Sequence, residues 1–220
     1  MNRPKAVAMV SGGLDSVVSL ARALESRDVR LVLFFDYGQR SRESERVSVL
    51  AVTNFYDLPF RQVDISWLEG LSPEGMRSSV PGDGGALKTL DDVWIPNRNG
   101  VFISVAAAFA ESYGCDEVIC GFNREEAIEF PDNSARFVEY TNRALELSTR
   151  GRVTVKSFTQ DLDKREILRD GVELGAPLSI VWSCYRSGEH MCGRCASCLR
   201  LKVALDATPP EMRPVIEFDA

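Results

Sequence analysis

The sequence predicts an α/β fold, an open and mostly parallel five-stranded sheet with helices on both faces. Short apolar, β-branched runs alternate with helix-periodic segments along the chain, the pattern of parallel strands joined by crossover helices. The first such run stops at a Gly-Gly pair that opens directly onto a helix. A hydrophobic fraction of 45% and a charged fraction of 26% over 220 residues place the chain among single globular domains with a full core.

Residues 5–10, KAVAMV, form a continuous apolar run and read as a buried strand. DSVVSLARALES follows, with Val17, Leu20, Ala21 and Leu24 at helical spacing. VRLVLFFD is a second buried strand. Residues 41–57 read as an amphipathic helix with Val47, Leu50, Ala51 and Phe55 along one stripe, and FRQVDIS as a third, shorter strand. Residues 71–96 are rich in Gly, Pro, Ser and Asp and read as a loop insertion, disordered in part or serving as a lid. A helix over 97–114 ends at Gly114, the strand DEVICGFN follows, a helix over 134–151 stops at Gly151, and RVTVKSF is the fifth strand. Asp163 caps a helix that begins at Lys164. A cysteine-rich segment runs into a last helix, SCLRLKVALDA. The expected organisation is one sheet domain over 1–180 carrying the 71–96 insertion, with 181–220 packed on the same domain. Trp67, Trp94 and Trp182 read as packing in the core or an interface.

No run of eighteen apolar residues is present, so no membrane span is expected. The first apolar run is too short for a secretory signal, and a cytoplasmic protein is expected. A net charge of −6 argues against a grip on nucleic acid over many phosphates and suits a small-molecule enzyme. The sole histidine, His190, makes a Ser-His-Asp mechanism a poor fit.

A glycine turn between a buried strand and its helix presents backbone N–H groups to an anion, and the helix N-terminus adds partial positive charge. Gly12 and Gly13 allow close approach without a Cβ. Ser11 and Ser16 add hydroxyls able to donate to phosphate. Asp15 repels phosphate, so it caps the loop's own N–H groups or recruits Mg2+. The spacing is neither GxxxxGK(S/T) nor GxGxxG. A plain strand–turn–helix connection is the alternative, and the flanking hydroxyls argue against it.

SGGLDS resembles the PP-loop of the N-type ATP pyrophosphatases, which transfer AMP to a carbonyl or carboxyl oxygen and release pyrophosphate. The resemblance implies an ATP site over Val10, Ser11, Gly12, Gly13, Leu14, Asp15, Ser16, Val17, Val18, Ser19 and Leu20. Asp36 and Tyr37 end the second strand, at the sheet edge where open α/β folds bind nucleotides, and Asp36 joins the expected ATP site.

Cys184, Cys192, Cys195 and Cys198 have the spacing C-x7-C-x2-C-x2-C. Four thiolates so placed can wrap one tetrahedral ion, with Gly188 and Gly193 easing the turns, and in a cytosolic chain they argue for metal over disulfides. Zinc would then be structural, and an iron–sulfur cluster is the rival. His190 is expected to face solvent.

A PP-loop domain ending in WSCY and CGRCASCLR closely resembles the 7-cyano-7-deazaguanine synthases of queuosine and archaeosine biosynthesis. FDYGQR, IPNRN, GFN, FPD and LDKREI agree, and the resemblance covers roughly residues 5–206. It implies a Rossmann-like adenine nucleotide alpha-hydrolase-type fold, a four-cysteine zinc site and a homodimer. It also implies conversion of 7-carboxy-7-deazaguanine, ammonia and ATP, with Mg2+, to the 7-cyano product. Asp15, Ser16, Lys164 and Arg98 would be catalytic. Lys164 would neutralise the α-phosphate and Arg98 would clamp phosphate or carboxylate; a solvated lysine and a salt-bridge arginine are the alternatives. Tyr37, Gln39, Arg40, Asn123 and Asp132 would contact the deazapurine. The chain departs from the family pattern at Ser41, where a histidine is usual, and in GFNREEAIEFPDNSA, where GVNxxDxSGYPDCR is usual. A diverged paralog activating a related carboxylate, a tRNA-modifying PP-loop enzyme and a non-catalytic nucleotide-binding module are the alternatives.

Overall fold

The computed structural model describes residues 3–78, 87 and 89–219. β1 (Lys5–Met9) buries Ala6, Val7 and Ala8 completely. A strand that is apolar on both faces belongs at the centre of a doubly covered sheet. β2 (Asp28–Asp36), β3 (Phe60–Asp64), β4 (Glu117–Cys120) and β5 (Thr154–Ser157) complete the sheet in the order β3-β2-β1-β4-β5. All four pairings are parallel.

In chain order the helices are α1 (Leu14–Leu24), α2 (Arg42–Tyr56), the single turn α3 (Leu90–Val93) and α4 (Arg98–Ser112). They continue with the single turn α5 (Glu126–Glu129), α6 (Ala135–Ser148), α7 (Lys164–Glu173) and α8 (Ala196–Asp206). One core cluster joins Val17, Val49, Ile167 and Leu201, so α1, α2, α7 and α8 share a face of the sheet. A second joins Ile103, Ala107 and Leu145 on the other face, under α4 and α6. Cys184, Cys192, Cys195 and Cys198 lie in the first cluster, so the cysteine segment packs on the same core as the sheet. Among the described residues no helix is long and apolar enough to cross a membrane.

The strand order changes direction between β1 and β4, with all strands still parallel. A crevice at the carboxyl ends of the strands is expected at such a point. The loops after β1 and β4 face each other there. A Cβ on Gly121 would lie 2.6 Å from Ser16 N and Cα, so glycine is what lets β4 close on the loop.

Three expectations are corrected. On α2 the buried residues are Ser48, Val49, Val52 and Thr53, while Val47 and Phe55 are 60% and 57% exposed. The face that turns inward packs Val49 and Val52 in the core, and Ser48 on it donates its Oγ proton to Gly12 O at 3.0 Å. A 3-10 turn over Ser66–Leu71 leads into the 71–96 insertion, which carries a second over Glu74–Met76 and then α3, closed by a Thr89–Asp92 capping box. Residues 79–86 and 88 of the insertion lie outside the described residues. Trp67 is 61% exposed on the single chain, so it does not pack in the core.

Candidate active site

Gly12 has φ +82° and lies against Ser48, so a Cβ there would meet Ser48 Oγ at 2.7 Å. Gly13 is the N-cap of α1 and no side chain of its own turn caps the helix. The first-turn N–H groups therefore lack intrahelical partners. Leu14 N–H donates to Ser183 Oγ at 3.4 Å. Ser16 Oγ donates to Gly13 O at 2.9 Å and accepts from Ser11 N–H at 3.3 Å, fixing the bend. Val10, Ser11, Gly13, Asp15 and Ser16 line the crevice.

Asp163 caps α7 through Arg165 and Glu166 N–H, which sets Lys164 at the first helical position facing the loop. Lys164 Nζ donates to Asp15 Oδ2 at 2.5 Å and to Glu126 Oε1 at 3.3 Å. Burial disfavours the ammonium, but the Asp15 and Glu126 carboxylates outweigh it and push Lys164 above its ordinary value. The Asp15 carboxyl is pushed up to about 6, by burial first, with Lys164 opposing and Glu126 adding to the rise. On Glu126 the attraction of Lys164, Arg200 and Arg98 overcomes burial and lowers the carboxyl. Among the described residues Asp15 Oδ1 is buried without a partner. That free oxygen fits a water on a bound magnesium ion, which takes oxygen ligands and keeps several waters.

The opposite wall carries Tyr37, Glu45 and Arg98. Arg98 donates to Tyr37 Oη at 3.4 Å and lies over the rings of Tyr37 and Phe102, at 5.6 and 6.0 Å from their centroids. Burial raises the Tyr37 phenol to about 12, so it is neutral. Gln39 is not in the wall. Its amide accepts from Tyr37 N–H and donates to Phe35 O and Glu45 Oε2, so it braces the wall from behind. Ser41, at the departure from the family pattern, donates to Glu45 Oε1 at 2.7 Å. Asn99 and Asn133 line the crevice, with Phe130 and Tyr185 as aromatic neighbours.

Several expected contacts are turned elsewhere. Leu14, Val17, Val18 and Leu20 point into the core. Ser19 accepts from Phe158 N–H and donates to Cys120 O, stitching α1 to the sheet. Gly12 is covered by Ser48. Asp36 accepts from Gly38 N–H and Gln62, holding the end of β2. Arg40 is outside the crevice wall, with its backbone N–H on Met76 O. Asn123 is fully buried, its Oδ1 accepting from Glu126 N–H to start α5. Asp132 lies behind the wall, its carbonyl accepting from Asn99 Nδ2 at 3.2 Å. Burial raises its carboxyl, opposed by Arg98.

Cys195 is the N-cap of α8 and Cys198 lies in its first turn. The ligand sulfurs of Cys184, Cys192, Cys195 and Cys198 lie within 4.8 Å of one another. A tetrahedral ion with bonds of about 2.3 Å places sulfurs roughly 3.8 Å apart, and Cys192 and Cys198 are 3.9 Å apart. The set fits one metal ion. A cluster with each cysteine on a separate iron needs a wider spread. Thiol hydrogen bonds from Cys184 and Cys198 push Cys195 far below its ordinary value, towards a thiolate. His190 is outside the set, with Nε2 at 3.0 Å from Glu217. Gly193 takes φ +65°, whereas Gly188 stays outside the left-handed region.

The geometry and the wider comparisons converge. A family model described as Queuosine biosynthesis protein QueC matches residues 5–208. The chain belongs to the QueC family. It is 45% identical over 207 residues to the 7-cyano-7-deazaguanine synthase of Pelotomaculum thermopropionicum, covering 89% of this chain and 94% of that one. It is 46% identical over 209 residues to the synthase of Carboxydothermus hydrogenoformans, covering 91% and 97%. Among solved structures, a 4-thiouridine synthetase–RNA complex with bound ATP matches with TM-score 0.51 and 19% identity, covering 92% of this chain and 50% of that one. The U34-tRNA thiolase NcsA from Methanococcus maripaludis with its 4Fe–4S cluster matches with TM-score 0.50 and 14% identity, covering 97% and 70%. At those identities the likeness is one of fold.

In this QueC-family chain Glu126, Glu45, Asn99, Asn133 and Ser183 also line the crevice, beyond the residues the sequence points to. Asn99 and Ser183 lie inside IPNRN and WSCY, and Glu45, Glu126 and Asn133 lie one to five residues after FDYGQR, GFN and FPD. Neighbours in WSCY, PNRN and FPDNS were the available signal, but only the fold shows which of them face the crevice.

Proposed function

We propose that this QueC-family chain is an ATP-dependent ligase that converts 7-carboxy-7-deazaguanine and ammonia to 7-cyano-7-deazaguanine. The convergence of the glycine loop, Lys164 and Arg98 on one crevice is the observation that carries the reading. A carboxylate lacks a good leaving group. Transfer of AMP to its oxygen releases pyrophosphate and creates a mixed anhydride. Ammonia then displaces AMP and leaves the amide. Activation of the amide oxygen in the same way releases pyrophosphate, and loss of AMP with both N–H protons leaves the nitrile.

The protein positions these groups and stabilises developing charge. Ser11, Gly13 and Ser16 hold the departing phosphates at the start of α1. Lys164, kept charged by two carboxylates, faces the phosphorus under attack. Arg98 meets the substrate carboxylate as a two-pronged donor, and the amides of Asn99 and Asn133 offer partners to a purine-like edge. Magnesium, when bound, neutralises phosphate charge; Asp15 Oδ1 would hold one of its waters. Zinc in the four-cysteine set would fix the C-terminal segment. A cytoplasmic homodimer is part of the same reading, by family resemblance.

Purified protein with 7-carboxy-7-deazaguanine, ATP, Mg2+ and ammonium should form the nitrile, AMP and pyrophosphate by mass spectrometry. Ser16→Ala should reduce turnover at least about 100-fold while leaving the fold intact. ATP turnover that ignores the carboxylated deazapurine and answers to another carboxylate would favour a diverged paralog. The departures at Ser41 and 124–135 make that the second reading.

A further inference from the structure

Ser183 belongs to the cysteine segment, one residue before Cys184, yet it lines the crevice at the start of α1. Its Oγ accepts from Leu14 N–H at 3.4 Å, and a Cβ on Gly13 would lie 3.8 Å from the same oxygen. Next to it, Trp182 N–H donates to Gly12 O at 2.8 Å. On the other side, Ser183 N–H donates to Met191 Sδ at 3.3 Å, beside Cys192. The segment is sewn to the glycine loop at one end and to the sulfur cluster at the other.

The hydroxyl protons are not equivalent. Ser16 Oγ donates to Gly13 O, so in its 3.3 Å pair with Ser11 it is Ser11 that donates. Without nucleotide both protons are engaged inside the loop, and a phosphate takes them only by breaking those bonds. Among the described residues Ser183 Oγ only accepts, and a hydroxyl that accepts can still donate. Its proton is left for a ligand.

We propose that Ser183 donates to a phosphate oxygen of bound ATP, and that the metal bond of Cys184 holds it there. Nucleotide affinity and metal retention are thereby linked. The proposal rests on the nucleotide reading of the glycine loop. Linkage is reciprocal: a metal that steadies the phosphate-binding hydroxyl is itself steadied by bound nucleotide.

The test is Mg·ATP binding by isothermal titration to metal-loaded wild type, Ser183→Ala, Ser183→Thr and Ser16→Ala. Metal release to a chromophoric chelator is followed with and without saturating ATP. Ser183→Ala should keep its metal and bind ATP about tenfold more weakly, as for one lost hydrogen bond to a charged group, and Ser183→Thr should largely restore affinity. ATP should slow metal release from wild type several-fold and leave that from Ser183→Ala unchanged. Unaltered affinity in Ser183→Ala, or equal protection of the metal in both proteins, overturns the proposal and leaves the loop reading standing. Absence of ATP binding to wild type, or wild-type affinity in Ser16→Ala, removes the loop reading and the proposal with it.

Discussion

Asp15 shows how one buried carboxyl can tie stability to function. Burial raises it to about 6 against the attraction of Lys164. The folded state therefore binds a proton that the unfolded chain, at its ordinary value of 3.8, has released. The sign follows: this contribution to stability is complete below about pH 4 and is lost as pH rises through about 6. Asp15→Asn, neutral at every pH, should abolish that slope. Its stability relative to wild type should rise by about 1–3 kcal/mol between pH 4 and 7. Urea unfolding without nucleotide at both pH values checks it. A difference that does not change with pH would mean an ordinary Asp15 carboxyl. Turnover should be lost in the same variant, since Lys164 then has only Glu126 to hold it.

At the scale of elements, the glycine loop depends on β4 and the sheet edge depends on α6. Gly121→Ala places a methyl 2.6 Å from Ser16 N, against backbone that cannot rotate away. It should weaken ATP binding at least about tenfold and destabilise the fold by about 1–3 kcal/mol, read by calorimetry and titration. β5 is an edge strand, but Asn142 on α6 donates to Val155 O at 3.1 Å and accepts from Val155 N–H at 2.6 Å. One amide thus occupies an edge that could otherwise recruit another chain. Asn142→Ala should cost about 1–3 kcal/mol and produce concentration-dependent association by light scattering; a stable, monodisperse variant would show the edge is guarded by something else. The long elements were legible because buried runs and helical periodicity are strong local signals. The buried face of α2 was not. Its apolar residues Val47 and Phe55 suggest one stripe, yet Val49 and Val52 turn into the core on another, with Ser48 beside them bonded to Gly12 O. α5 is too short for a period, and its first N–H is held by the side chain of buried Asn123, a contact that no local pattern reports.

In the whole molecule, a sheet reversal, a glycine bend and a cysteine segment meet at one crevice. The bend, Lys164 and the cysteine quartet were legible because each needs particular residue types at fixed spacing. The rest of the crevice depends on which side chains the fold turns inward, as with Asn99 rather than Asp132. Arg200 of α8 pairs with Glu129 of α5 at 2.5 Å, so the metal-bearing helix also braces the wall that holds Glu126. Metal binding should therefore be part of folding, with apparent energies on the order of 10–16 kcal/mol for structural zinc. Cys195→Ala should lose metal and unfold at lower temperature, and metal analysis of wild type should give one zinc per chain without absorbance near 400 nm. A metal-free, equally stable and active Cys195→Ala would remove the structural role. The most direct test of the central claim is a crystal structure with Mg2+ and a non-hydrolysable ATP analogue. The account places the β- and γ-phosphates within hydrogen-bond distance of Ser11, Gly13 N–H and Ser16, with the α-phosphate facing Lys164. A nucleotide bound elsewhere, with the glycine bend empty, would contradict it.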